Sequence, residues 1–442
     1  MSVTFKGGIH PHYGKELSMG AAIGSLPPPA VAVVHLVQHI GAPAKAVVSK
    51  KDQVKKGQLL GEPSGFVSVP IHAPISGTVK DVGLMPHPFG IPQEAVVIET
   101  DGEDAWVDLP PAADPASLSG EEIKNRIKDA GIVGLGGAAF PTHVKLSPPA
   151  HKKIDTAILN GAECEPYLTA DDRLMQEQPE RVVSGFRCVM KVLGARQGII
   201  GIEENKPDAI REVEKAVKSS GGSIRIAALH VKYPQGGEKQ LIDATLGREV
   251  PSGGLPMDVG VVVQNVATCA AVDDAVRLGR PLIERVTTVT GEGVAAPCNL
   301  TGRVGTPISA FIQAAGGYLG TPGRVILGGP MMGLAVHDTD VPTIKSTGGI
   351  LVLTREQLPP ARHDPCIRCG RCVAACPMRL CPNEMGNYSE IDGWEQVVDR
   401  LDVKDCIECG CCAFSCPAHR PLVQWFRYAK LWDRQRQSAK KQ

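Results

Sequence analysis

Eight of the fourteen cysteines in this 442-residue chain fall into two copies of one spacing. Cys366, Cys369, Cys372 and Cys376 read C-x2-C-x2-C-x3-C and run into Pro377; Cys406, Cys409, Cys412 and Cys416 repeat the string and run into Pro417. Three thiolates at i, i+3 and i+6 on a tight loop can converge on three corners of an iron–sulfur cube. The fourth, just beyond at the start of a helix, ligates the other cluster in two-cluster ferredoxins. That logic assigns Cys366, Cys369, Cys372 and Cys416 to one 4Fe–4S cluster, and Cys406, Cys409, Cys412 and Cys376 to a second. Zinc ribbons pair cysteines two by two and need neither the third cysteine nor the terminal proline. The chemistry expected is one-electron transfer. Cys188, Cys269, Cys298, Cys381 and Cys411 have no such spacing, and Cys381 and Cys411 are expected to be packing residues. Cys164 is expected to fill space, and His10 and His12, lacking a third ligand, to be surface polar residues.

A second constellation combines glycines with polar residues at strand ends. Gly134-Leu135-Gly136-Gly137-Ala138-Ala139-Phe140-Pro141-Thr142 follows a helical pattern and precedes Lys145. Glycines let backbone N–H groups approach an anion closely, so the loop suits a phosphate-bearing ligand; it also suits a turn with a geometric role only. It is not the G-x-G-x-x-G plus acidic residue of an ordinary dinucleotide fold. Asn160-Gly161-Ala162-Glu163-Cys164-Glu165-Pro166 comes directly after an apolar strand, where α/β domains build ligand sites. Tyr233-Pro234-Gln235-Gly236-Gly237-Glu238-Lys239 and Gln264-Asn265 follow comparable strands.

The elements that must position these residues divide the chain into five parts. Residues 1–29 end in Pro27-Pro28-Pro29, a stiff extended connector. Residues 30–105 carry short β-type runs separated by turns and predict a β barrel-sandwich. Its two phrases, Val54–Leu60 and Ile71–Val79, resemble the halves of a biotinyl/lipoyl carrier domain. No modifiable lysine lies between Lys56 and Lys80, so a docking role is expected instead. Residues 106–285 alternate helix and strand, as a parallel-sheet α/β domain does, with Ser119 or Gly120 capping the first helix. Residues 286–345 are β-rich, with strands at 286–290, 302–306 and 324–327 and a short helix at 308–315. Residues 346–442 hold the cysteine repeats. They end in Leu422, Trp425, Phe426, Ala429 and Trp432 at the spacing of one helical face; such a basic helix suits a membrane surface, but packing on its own domain with its charges solvated is the expectation.

Lys+Arg and Asp+Glu both number 47, so the net charge is zero, against a dedicated nucleic-acid binder. The longest apolar runs fall far short of the ~20 residues that span a bilayer, so no transmembrane helix is expected. Cluster-type cysteines without an export signal point to a reducing compartment, the cytoplasm.

The glycine, acidic, tyrosine–glycine–glutamate and asparagine loops together resemble those around FMN in the NADH-binding flavoprotein subunit of respiratory complex I. The resemblance implies that Gly134, Gly136, Gly137 and Lys145, with Ala138 in the same loop, hold the phosphate and ribityl chain of a non-covalent FMN. It implies that Asn160, Glu163, Tyr233 and Asn265 line the isoalloxazine, and that Phe140, Glu165 and Glu238 contact NADH, the two carboxylates as catalytic residues. Leu135 stands where an arginine is usual, Ala139 and His143 replace glycines, and Ala162 replaces an aspartate. The whole order, opened by Gly7-Gly8-Ile9-His10-Pro11 with Lys15, resembles the RnfC family, a component of the Rnf (or Rsx) ion-translocating electron-transport complex. Thr287–Gly317 looks like that family's soluble-ligand-binding β-grasp module. Cys406-Ile407-Glu408-Cys409-Gly410 and Arg420-Pro421-Leu422-Val423 also match. This resemblance implies a multidomain α/β plus β architecture closing in a two-cluster ferredoxin-like helical domain. It implies a peripheral subunit on the cytoplasmic face of the bacterial inner membrane, passing electrons between NADH, FMN and two 4Fe–4S clusters in either direction. Its partners would be the other subunits of a membrane complex and, indirectly, ferredoxin or flavodoxin. A soluble flavin/iron–sulfur reductase such as a cobalamin reductase, or a flavin-free relay, are the alternatives.

Overall fold

In the computed structural model, which describes residues 2–220, 223–358, 360 and 362–440, the apolar runs form four β-sheets and a helical C-terminal lobe. Residues 2–29 are more than a connector. They cross the surface of the later modules, make a 3-10 turn at Lys15–Leu17 and supply a strand, β1 (Ile23–Ser25), to a distant sheet. The barrel-sandwich follows with β2 (Val31–His35), β3 (Lys45–Ala46), β4 (Gln53–Val54), β5 (Leu59–Glu62), β6 (Ile71–His72), β7 (Gly77–Met85) and β8 (Gln93–Thr100). Its two sheets, β2-β8-β7-β4 and β3-β5-β6, are antiparallel. Period-two alternation turns Ala32 and Val34, and Val96 and Ile98, into one core with Leu60 and Ile71. Between β5 and β6, where a carrier would present lysine, stands the exposed Phe66.

The central layer is the α/β module. It comprises α1 (Gly120–Asp129), α2 (Thr142–Lys145), β9 (Thr156–Gly161), α3 (Ala170–Glu177), α4 (Pro179–Leu193), β10 (Gln197–Glu203), α5 (Pro207–Ser220), β11 (Ile224–Leu229), α6 (Glu238–Leu246), β12 (Val261–Asn265) and α7 (Val266–Leu278). Ser119 caps α1 in a reciprocal box: its hydroxyl accepts from Glu122 N–H at 3.2 Å and its own N–H donates to the Glu122 carboxylate at 2.7 Å. The four strands are all parallel, in the order β11-β10-β9-β12. Ala157, Leu159, Ile200, Ile202 and Val262 face α4, α5 and α7, whereas Ile158, Ile199, Val261 and Val263 face α6. Both faces are buried, hence the continuous apolar runs in the sequence. The chain order reverses between β9 and β12, the crevice position where open α/β sheets bind ligands.

The β-rich module holds β13 (Glu284–Thr290), β14 (Cys298–Arg303), α8 (Ile308–Ala314), β15 (Arg324–Leu327), β16 (Leu334–Val336) and β17 (Gly349–Leu353). Its sheet, β1-β14-β13-β17-β15-β16, takes one strand from the first 29 residues and one from beyond residue 345. The strand expected at 302–306 lies at 298–303, because Leu300 and Cys298 fill the sheet core around Phe311 of α8.

The C-terminal lobe contains α9 (Arg371–Ala375), α10 (Pro382–Glu390), α11 (Trp394–Asp399), α12 (Cys411–Phe414) and α13 (Leu422–Ala439). As expected, α13 buries Leu422, Val423, Phe426 and Ala429 against its own lobe. Three of its cations, expected to be solvated, are ion-paired instead, because acidic side chains of the same lobe lie beside the helix: Arg427 and Lys430 pair with Glu408, and Arg436 with Asp399. No helix among the described residues is long and apolar enough to cross a membrane.

Candidate functional site

The two cysteine strings adopt the same local fold. Arg368 and Glu408 take positive φ at matching places in the two copies, as do Arg379 and His419 just after them. Each copy bends its loop around a hollow, and the hollows exchange their fourth cysteines. Cys406, Cys409 and Cys412 share one small hollow with Cys376, walled by Leu380, Met385 and Phe426. Cys366, Cys369 and Cys372 share another with Cys416, beside Asn383 and Arg420. Burial pushes the thiols of Cys372, Cys376, Cys406 and Cys412 upward, whereas Cys409 is lowered by a hydrogen bond with Cys411. Most of these sulfurs would therefore ionise only with a cationic group in place of their protons. The second cavity also has Asn383 Oδ1 and Arg420 Nε buried beside it without a protein partner. Four sulfurs around each hollow fit the cationic core of a 4Fe–4S cluster, and the apolar wall of one and the Arg420 guanidinium of the other suit the net anion that such a core forms with four thiolates. Among the described residues no three His, Cys, Asp or Glu stand close enough to hold a single metal ion. His10 and His12 are exposed. Cys411 is fully buried as expected; Cys381 is exposed instead, because it sits at the entry to α10 on the lobe's outer face.

At the carboxyl ends of β9 and β12, Asn160 and Asn265 are direct register partners. Asn160 Nδ2 donates to Gly236 O at 2.8 Å; Asn265 caps α7 by accepting from Thr268 N–H at 3.1 Å and donates to Asp171 at 2.6 Å. The glycine loop closes over this point: Leu135 N–H donates to Thr268 Oγ1 at 2.8 Å, and a Cβ on Gly136 would lie 3.3 Å from that of Asn265. Gly136, Gly137 and Ala138 are exposed, and their amides donate to no other described backbone group. Gly137 has φ +129°, and a Cβ placed on it would meet nothing within 4 Å. Such free amides beside open space at the switch point suit a phosphate. Lys145 pairs with Glu238 at 2.5 Å, so the cation expected at the phosphate and the carboxylate expected at the nucleotide hold one another. Leu135, in place of the usual arginine, is buried in the core, and Ala139 keeps the left-handed φ of +49° expected of the glycine it replaces.

The acidic loop joins everything else. Glu163 accepts from Asp171 N–H at 2.7 Å and Asp172 N–H at 3.1 Å, so its carboxylate caps α3. Glu165 accepts from Met331 N–H at 3.1 Å and Met332 N–H at 2.8 Å, which ties it to the β-rich module. Burial pushes both carboxyls up to about 7. Tyr233, 1% exposed, donates from its hydroxyl to Cys409 O at 2.8 Å. Phe140 is half-buried at the end of the glycine loop. Burial also raises Cys164, up to about 12, consistent with an inert thiol. Three groups hold this loop: Lys15 of the opening motif, to which no role at the site was given, and two that the motifs left out, Lys206, donating to Ala162 O at 2.8 Å, and the Met331–Met332 backbone. Lys206 has no signal in the sequence beyond its residue type and the Met331–Met332 amides have none, because contacts across such separations leave no spacing to read.

Three family models match the chain: the RnfC barrel sandwich hybrid domain over residues 3–103, the Nuo51 FMN-binding domain over 127–274, and the SLBB domain over 286–335. The chain is 48% identical over 431 residues to component C of the proton-translocating ferredoxin:NAD(+) oxidoreductase complex of Clostridium ljungdahlii, covering 97% of this chain and 94% of that one. It is 47% identical over 397 residues to component C of the Na(+)-translocating ferredoxin:NAD(+) oxidoreductase complex of Acetobacterium woodii, covering 89% of each. Among solved structures, an NAD+-reducing NiFe-hydrogenase in its H2-reduced state matches with a TM-score of 0.51 at 20% identity, over 73% of this chain and 65% of that one, a likeness of fold alone.

Proposed function

The chain belongs to the RnfC family of the ion-translocating ferredoxin:NAD+ oxidoreductase complexes, and from that premise we propose that it is the NADH-oxidising or NAD-reducing member of such a complex. In this reading it works with FMN and two 4Fe–4S clusters, the clusters in a ferredoxin-like part formed by residues 346–442. It is peripheral, held by partner subunits on the cytoplasmic side, where NADH is available.

The observation that carries the reading is the bond from Tyr233 to Cys409 O. It joins the crevice at the ends of β9 and β12 to the wall of a thiol cavity, so the two candidate redox sites share one residue. FMN, when bound, supplies the exchange between the two-electron chemistry of NADH and the one-electron chemistry of the clusters. The amides of Gly136, Gly137 and Ala138 receive its phosphate, and Asn160 and Asn265 present amide groups along its ring. Glu165, fixed by two backbone amides and half-protonated near neutrality, orients the nicotinamide and excludes water from it. Glu238 holds Lys145 at the phosphate end. Cys406, Cys409, Cys412 and Cys376 hold the cluster nearer Tyr233; Cys366, Cys369, Cys372 and Cys416 hold the other, whose Cys369 reaches the surface.

Anaerobic purification with flavin, iron and sulfide quantified, then NADH titration followed at the flavin and cluster absorption bands, tests the reading. About one FMN and about eight iron per chain, with both bands bleaching, is the expected result. Iron without flavin, even after FMN is added, and no response to NADH would leave an electron relay.

A further inference from the structure

The opening segment Gly7-Gly8-Ile9-His10-Pro11 with Lys15 has no role in the reading above, yet it is built into both candidate sites. Val3 bridges to Leu229, and Ile9 pairs with Tyr233, N–H to O at 2.8 Å one way and 2.9 Å the other. Gly8 N–H donates to Ala375 O at 2.9 Å. A Cβ on Gly7 would lie 2.7 Å from Cys376 O, and one on Gly8 2.6 Å from Tyr233 O, so only glycine lets the strap lie this close. Further along, Tyr167 N–H donates to Tyr13 O at 2.6 Å.

The strap ends in Lys15, which is 7% exposed. Its ammonium donates to Glu163 O at 2.8 Å, Glu165 O at 3.0 Å and Leu168 O at 2.5 Å. An ammonium has three donors, and all three end on one loop. That loop carries Glu163 at φ +45° and Tyr167 at φ +70°, conformations that persist only where surroundings enforce them. Burying a lysine is costly unless its charge is compensated, so this one is an anchor rather than a filler. We propose that Lys15 is a positioning residue of the flavin–nicotinamide site, and that the strap from Gly7 to Lys15 fixes the acidic loop relative to the cluster wall at Cys376. The inference rests on the flavin reading above. It adds an electrostatic role: Glu163 is raised by burial and by Asp171 and Asp172 of α3, and drawn down by Lys15 from the strap and Lys206 from the turn before α5.

The test uses the full-length chain with Lys15→Met, and with Lys15→Gln should the methionine variant fail to accumulate. FMN and iron are quantified, and KM and kcat for NADH are measured from pH 5.5 to 8.5 with ferricyanide as acceptor. Iron should stay at about eight per chain, while KM for NADH at pH 7 rises about tenfold, the effect of losing roughly one charge-assisted hydrogen bond's worth of order. The acid-side rise in KM should move to higher pH by about one unit, because removing a neighbouring cation raises a carboxyl. A variant with full iron and FMN whose KM and pH profile match the wild type overturns the proposal. So does one that loses iron and NADH oxidation together, which marks a purely structural strap. A wild type that takes up no FMN overturns the flavin reading and this proposal with it.

Discussion

Removing one thiol distinguishes a crossed cluster arrangement from two independent loops. Cys376 belongs to the first string by sequence but lines the cavity of the second. Cys376→Ser should therefore disturb the cluster bound by Cys406, Cys409 and Cys412 and leave the other intact, with iron falling to about four per chain. Low-temperature EPR of the reduced protein reads which signal disappears; loss of the other signal would refute the crossed assignment. Residue types and spacing single out the eight cysteines that line the two hollows, because each string is a local loop. Glu163 was only half legible. Its carboxylate caps α3, and that partner depends on how the chain folds back after Pro166. Gly137 offers a second residue-scale test. Its φ of +129° is strained for any other residue, and space around it is open. Gly137→Ala should cost the loop about 1–3 kcal/mol of strain and weaken FMN binding about tenfold or more, measured by flavin fluorescence. Unchanged FMN affinity would reduce the loop to a plain turn.

Among the elements, the start of α1 and the parallel-sheet character of the α/β module were legible, because caps and apolar runs are local signals. Ser119 at the start of α1 is the clearest case, with both arms of its capping box formed. Ser119→Ala should lower stability by about 1 kcal/mol without changing FMN or iron content, checked by chemical denaturation. A loss of cofactor would mean that α1 positions the site more directly than its cap suggests. The six-stranded sheet was read less well. Its end strand β1 comes from a segment expected only as a connector, and β17 from beyond the expected boundary. Three-residue strands carry too little periodicity to be seen, and parallel pairing across the chain has no turn to announce it.

For the molecule as a whole, buried lysines join the modules. Lys345, 1% exposed, donates to Gly131 O at 2.8 Å and Pro70 O at 3.4 Å, linking barrel, α/β module and sheet. Burial lowers it from the ordinary lysine value to about 7. Between that value and 10.5 the unfolded chain binds a proton that the folded one does not, so this group's contribution to stability grows with pH across that window. The stability difference between wild type and Lys345→Met should therefore shift in the wild type's favour as pH rises from about 7 to about 10, by thermal or urea unfolding. A pH-independent difference would show that Lys345 is charged throughout.

The sequence by itself determined what depends on neighbours in the chain: the two cysteine strings, the glycine loop, the capped helix, the alternating strands of the barrel and the buried strands of the α/β sheet. The crossed fourth cysteines belong with these, since the repeat spacing already pairs Cys416 with the first string and Cys376 with the second. Only the tertiary structure decided that Asn160 and Asn265 stand side by side, and that Tyr233 and the opening strap reach the wall of the thiol cavity. Those relations join residues far apart in sequence, and they arise because burying the sheet faces and the lysine charges leaves the chain one way to bring them together.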